Sequence, residues 1–257
     1  MDDRKPRAVA FFFIEVAEIF RFIGIFLKEV FLPPYEFEEI LKQFYKIGNR
    51  SIALVGTTGF IMGLVLTIQS RPTLAEFGAV SWLPAMVSIS IIREIGPVLT
   101  ALISAGKAGS GIGAELSSMR VTEQIDAMEV SATNPFKYLV VTRVLATTFM
   151  IPILTIFADA IALFGSYVGV NIDGDVSMRL FFSKAFHSVH FSDIISATVK
   201  TFFFGFAIGI IGCYRGYYAT NGTEGVGNAA NSSVVIASLL IFIIDIVAVQ
   251  VTRFFVY

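Results

Sequence analysis

Five stretches of this chain are long and apolar enough to cross a bilayer, and no other feature constrains its fold as strongly. A hydrocarbon core needs about 20 consecutive apolar residues per helix. Residues 51–70, 82–106, 138–170, 194–214 and 232–255 each meet that length. Only 15% of the 257 residues are charged, against about 25% in soluble domains. The expected fold is an all-α integral membrane protein, read as one domain over 1–257. The third stretch is too long for one upright helix. Arg143 near its start and Pro152 inside it imply a helix that begins outside the bilayer and then tilts or kinks.

Residues 8–30 are also apolar, but Glu15, Glu18 and Arg21 recur every three residues and Lys28 falls on the same side at helical pitch. That pattern predicts a helix lying in the membrane surface with its Phe-rich face down. Charges near its centre disfavour a sixth span. Pro33 and Pro34 then break the helix, and residues 34–50 form a polar-faced connecting helix into the first span.

Five spans place the termini on opposite sides. With the N-terminus cytoplasmic, thirteen of the 19 Lys and Arg, from Arg4 to Arg215, fall on inner pieces, and four (Arg71, Arg179, Lys184, Arg253) fall on outer ones. This asymmetry follows the positive-inside rule, so the C-terminus is expected outside. The net charge of -1 offers no field for nucleic acid. A single cysteine, Cys213, allows neither an intrachain disulfide nor a Cys-based metal site. "MDDRKPRAVAFFF" lacks a small-residue cleavage site after its apolar region, so it reads as part of the mature chain.

The remaining two cations lie inside spans. They are Arg93, beside Glu94 in "SIIREIGPVLT", and Lys200 in "SATVKTFFFGF"; Asp245 in "IFIIDIVAV" adds a second intramembrane acid. Neighbours on a helix point about 100° apart and do not face each other. An unpaired charge at mid-membrane costs at least about 2.5–3.5 kcal/mol, so Arg93 and Glu94 each need a partner on another helix, and Lys200 and Asp245 are the natural ones. A polar cluster among spans two, four and five is expected. Its bland reading is an ion-pair lock; its functional reading is a pathway or cavity. Asp159 in span three has no obvious partner.

Between spans two and three, "AGKAGSGIGAELSSMRVTEQIDAMEVSATNPFKY" is rich in glycine. It lacks the Ser/Thr after Gly-Lys and the preceding strand of a phosphate loop, so no nucleotide site is expected here. Its small residues suit close helix packing. Residues 115–131 read as a helix that exposes Glu115, Arg120, Glu123, Asp126 and Glu129 while Leu116, Met119, Ile125 and Met128 form an apolar side. "TNP" at 133–135 closes it. It reads either as a solvated loop helix or as a docking helix for a cytoplasmic partner.

The run "REIGPVLTALISAGKAGSGIGAELSSMRVTEQIDAMEV", with "NPFKYLVVTRVLA", "SYVGV", "CYRGYYATNGTEGVGNAANSSVV" and the last span, resembles the MlaE-like ABC permeases of MCE-associated lipid transport. The resemblance covers nearly the whole chain. It implies a homodimer moving phospholipid, with Arg93, Glu94, Lys200 and Asp245 near the lipid-binding cavity. It also implies coupling through Glu115, Met119, Arg120, Glu123, Asp126 and Met128 to a separate ATPase subunit, which would bind ATP and Mg while this chain binds no cofactor. A hexameric MCE-domain protein would meet the outer face, and a small STAS-domain protein would bind the ATPase. The setting implied is the bacterial inner membrane. Asp159 departs from the apolar residue expected there, and the outer loop 171–193 carries no recognisable motif.

His187 and His190 lack a third ligand and fit an amphipathic outer helix better than a metal site. "NGT" at 221 and "NSS" at 231 fall on the expected inner side, so neither is read as a glycosylation site. The alternative function is a proton-coupled secondary transporter using Glu94 and Asp245, which five spans without an inverted repeat disfavour. A membrane enzyme is disfavoured by the lack of a metal-binding acid cluster, of a nucleophile near a His, and of HExxH.

Overall fold

The computed structural model describes residues 5–33, 35–172, 174, 176–220 and 222–256. Arg4, Pro34 and Asn221, used in the reading above, lie outside them. Five helices in it are long and apolar enough to cross a membrane.

Helix α1, Lys5–Val30, is not among those five. It buries Phe22 and Phe26 while Phe13 and Phe20 stay exposed. The Phe22 ring meets Phe136 edge-on at 5.0 Å and Tyr214 at 5.6 Å. Part of its polar side also faces protein, because Glu15 pairs with Arg215 and Glu18 accepts a 2.9 Å hydrogen bond from the Tyr214 hydroxyl.

Helix α2, Phe37–Glu76, unites the expected connecting helix 34–50 and the span 51–70 into one rod of 40 residues, about 60 Å at 1.5 Å per residue. The polar stretch "KQFYKIGNRS" offers only Gly48 as a breaker, and one helix-interior glycine costs only about 1 kcal/mol. Packing recovers that cost, since Gly48 sits against Met150.

Helix α3, Val80–Val121, likewise runs past the expected limit of span 82–106 into the loop. It contains two wide turns with π-type hydrogen bonding, Ile91–Ile95 and Ala105–Gly109. Pro97 accounts for the first. It has no N–H to give and its ring presses on the preceding turn, and the backbone responds by widening, with the Gly96 N–H bonding to the Ile91 carbonyl.

The expected helix 115–131 is not continuous. Residues up to Val121 complete α3, the chain turns at Glu123 in the left-handed region (φ 58°), and α4 spans Gln124–Val130. Nothing in the apolar periodicity signals this break; Thr122 ends the helix by folding its hydroxyl onto the Ser118 carbonyl at 2.8 Å, the kind of local bond that competes with helix continuation.

Helix α5, Phe136–Val170, follows, then the short α6, Met178–Ser188, capped by Ser177, whose hydroxyl accepts from the Leu180 N–H. Helix α6 gives the outer loop a structure. It buries Phe181 and Ala185, and Ser88 of α3 donates to the Ala185 carbonyl. Helix α7 is Phe191–Tyr217 and α8 is Gly222–Val256. The expected inner loop "GTEGVGNAANSS" is therefore the first third of α8. Its glycines suggest a loop, yet Ala229 and Ser233 are buried against α3, and tertiary packing overrides the propensity.

Helices α2 and α5 approach backbone to backbone. A Cβ on Gly59 would lie 2.9 Å from the Ala158 carbonyl oxygen, and one on Gly169 would lie 3.1 Å from that of Leu64. Close contact through small residues is how membrane helices gain packing where lipid supplies no hydrophobic drive. The bundle has a basic end, with Lys46, Arg50, Lys107, Arg143 and Arg215, and an opposite end formed by Arg71, α6 and Arg253.

Candidate functional site

The first wide turn of α3 carries Arg93 and Glu94. Lys200 reaches them from α7 and Asp245 from α8. Lys200 is 5% exposed, and its Nζ lies 2.6 Å from Glu94 Oε2 and 2.9 Å from Asp245 Oδ1. One ammonium thus joins three helices through two carboxylates, in a setting where leaving a partner unpaired is costly.

Arg93 takes a different acid from those expected. Its Nη2 lies 2.8 Å from Oδ1 of Asp193, a buried residue in the first turn of α7. Asp193 also accepts from the His190 N–H and so caps its own helix. The sequence reading missed it because it stands one residue outside the apolar window 194–214. The available signal was spacing: seven residues before Lys200, it shares that residue's helical face.

Arg93, Glu94, Asp193 and Lys200 open into a cavity of about 230 Å³, which Ser196, Thr252 and Arg253 also line. The Glu94 side chain is 45% exposed and that of Arg93 35%. A cation and an anion therefore face the space from adjacent positions, while Lys200 stays behind them. The arrangement can receive a zwitterion, with its anionic part on Arg93 and its cationic part on Glu94. Across α3 lies Asp159 of α5, whose Oδ1 is packed on Gly96 and accepts no hydrogen bond among the described residues. Its other surroundings are a largely apolar cleft with Thr155, Phe182 and Thr201.

The six residues read as a docking face do not form one surface. Glu115 points into the bundle, where it pairs with Lys46 and, at 2.9 Å, with Arg143. Met119 and Met128 pack on the core that includes Phe22, Ile125 and Leu139. Arg120 and Asp126 join across the α3–α4 turn at 2.6 Å. What remains exposed is acidic, Glu123, Asp126 and Glu129, beside Val130 at 90% exposure.

A family model described as Permease MlaE matches residues 40–251. The chain belongs to the MlaE permease family. It is 40% identical over 225 residues, 88% of this chain and 86% of the relative, to a probable ABC transporter permease protein of Rickettsia felis. It is 33% identical to one from Synechocystis over 95% of this chain and 93% of that one. An intermembrane phospholipid transport system permease protein MlaE of Haemophilus influenzae is 35% identical, covering 82% of this chain and 81% of its own length. The matched span includes both the charged cluster and the α3–α4 segment. The chain is accordingly a transport subunit of the ABC permease type.

Proposed function

We propose that the chain is the membrane subunit of an ATP-driven phospholipid transporter in the bacterial inner membrane, with a cytoplasmic N-terminus and a periplasmic C-terminus. The observation that carries this reading is the buried Lys200, held between Glu94 and Asp245, at the back of a cavity whose walls are Arg93 and Glu94. A phospholipid phosphate suits Arg93, and a headgroup amine suits Glu94. The phospholipid named for the Haemophilus influenzae relative supports the same choice.

In this reading the chain works as a homodimer. Helix α8 is the least buried of the five spans and turns Leu239, Phe242, Ile243 and Ile246 outward, a face that suits a second copy. A separate ATPase subunit, binding ATP and Mg, sits on the acidic α3–α4 tip, with a STAS-domain protein on the ATPase. A hexameric MCE-domain protein receives lipid at the α6 end. Helix α3 carries the lipid cluster and ends at Val121, immediately before the Glu123 turn and the docking helix α4, so a push at the tip reaches Arg93 and Glu94 through that turn and along the α3 rod. The wide turn at Ile91–Ile95 is where that rod can yield.

The test is lipid transfer and ATPase rate in the reconstituted complex. Lys200→Ala is expected to cut lipid transfer at least tenfold while the assembly still forms. Transfer at the normal rate, or uptake driven by a pH gradient in liposomes holding this chain alone, would overturn the reading, the second in favour of a proton-coupled carrier.

A further inference from the structure

We infer that the chain contains a phosphate-binding pocket at the basic end of the bundle, remote from the Lys200 cluster. The pocket lies between α2 and α3 and encloses about 130 Å³. Three cations line it, Lys46, Arg50 and Lys107, against one carboxylate, Glu115; Gln43 and Ser51 add neutral polar groups.

The one acid is already committed. Glu115 binds Lys46 on α2 and Arg143 on α5. Arg50 and Lys107 pair with no carboxylate among the described residues. Lys107 instead donates its Nζ to the Arg50 backbone carbonyl, which ties its ammonium to the α2 wall of the pocket. Two cations without a carboxylate partner therefore line one small pocket with a third, Lys46, and their mutual repulsion is relieved when an anion enters.

The backbone favours access. Lys107 sits on the second wide turn of α3, and the neighbouring wall residue Gly111 has nothing within 4 Å of where a Cβ would lie. The donors on offer are a guanidinium, two ammonium groups, an amide and a hydroxyl. That set suits a phosphate oxygen cluster. Basic pockets between spanning helices, at the end richer in Lys and Arg, are where anionic lipid headgroups seat. The same chemistry would accept inorganic phosphate from solution, and the experiment separates the two. The pocket is independent of the transport reading, since it uses none of Arg93, Glu94, Lys200 or Asp245.

The experiment uses the full chain in nanodiscs of phosphatidylethanolamine with phosphatidylglycerol, with retained lipid counted by native mass spectrometry. R50Q/K107Q is expected to weaken phosphatidylglycerol retention about thirtyfold, from about fivefold for each charge removed near the surface. Both side chains are exposed, and the charge-keeping variant R50K/K107R, expected to retain the lipid, separates charge from folding. K42Q removes a cation from the same end but outside the pocket, where Lys42 is occupied with Glu38 at 2.9 Å; it is expected to change nothing. In a second arm, inorganic phosphate is titrated into nanodiscs of phosphatidylethanolamine alone while the unfolding midpoint is followed. Loss of lipid retention in R50Q/K107Q assigns the pocket to a headgroup. A phosphate-dependent rise in the midpoint, absent in R50Q/K107Q and without any lipid effect, assigns it to the free anion. If R50Q/K107Q matches the unaltered chain in both arms, or if K42Q loses as much as R50Q/K107Q, there is no such pocket.

Discussion

Lys200 shows how a single residue can be both a structural bolt and part of the lining of a charged cavity. Its ammonium is buried between carboxylates of α3 and α8, so its removal leaves Glu94 and Asp245 facing each other with nothing between them. Breaking a buried ion pair costs about 3–5 kcal/mol, and the exposure of Glu94 puts this case near the lower end. Lys200→Ala is expected to lower the unfolding free energy by about 3 kcal/mol, and adding Asp245→Ala is expected to recover part of it. A double-mutant cycle with a coupling energy of about 1 kcal/mol or more is the expected result; strict additivity would mean that the two do not interact. The Gly96–Asp159 contact gives a second test. Any Cβ at position 96 would meet the Asp159 carboxyl, so Gly96→Ala is expected to cost about 1–3 kcal/mol through overpacking. Asp159→Ala in the same chain is expected to relieve it, as read from the unfolding midpoint in detergent. The cluster was legible in the sequence because charges in an apolar run stand out against the cost of burying them. Arg93, Glu94, Lys200 and Asp245 all stood out in this way, and the structure brings them together. Asp193 did not, because a carboxylate at a helix start is commonplace, and only a folded chain shows that it faces Arg93.

At the scale of elements, apolar length located all five spans, but the helix ends were set by packing that the sequence does not display. Polar composition suggested a boundary near Arg50 between a connecting helix and the first span, and a last span that began only at residue 232. Both helices continue because their polar turns lie against other helices, as Ala229 and Ser233 do against α3. The opposite error was made at the docking segment, where an unbroken amphipathic pattern concealed the left-handed turn at Glu123. That turn matters because it sets α4 at an angle to α3 and leaves Ile125, fully buried, as the anchor of α4 on the core. Ile125→Ala is expected to cost about 2–4 kcal/mol locally and to loosen the tip while the bundle below stays folded. In the reconstituted complex, stimulation of lipid transfer by ATP should fall at least fivefold with little change in the unfolding midpoint of the spans. If transfer and ATP stimulation are both unchanged, α4 is a solvated loop helix and coupling runs elsewhere.

Across the whole molecule, the proposed function depends on which end faces the cytoplasm, because one end holds the acidic tip and the other holds α6. Charge asymmetry supports the proposed orientation, with the basic end of Lys46, Arg50, Lys107, Arg143 and Arg215 inside. The geometry makes this assignment testable with few changes. The single native thiol, Cys213, is fully buried, so it should stay silent toward a membrane-impermeant maleimide, and new cysteines can be introduced without removing it. Ser131 is exposed just beyond α4, and Phe77 is 78% exposed at the far end of α2. In sealed right-side-out vesicles, Phe77→Cys is expected to label from outside, while Ser131→Cys should label only after the membrane is opened. The reverse pattern would place the acidic tip outside, where no ATP is available, and would remove the ATP-driven reading along with the orientation. Labelling of both positions in sealed vesicles would contradict the spanning count itself, since α3 would then no longer carry the chain across the membrane between residues 77 and 131.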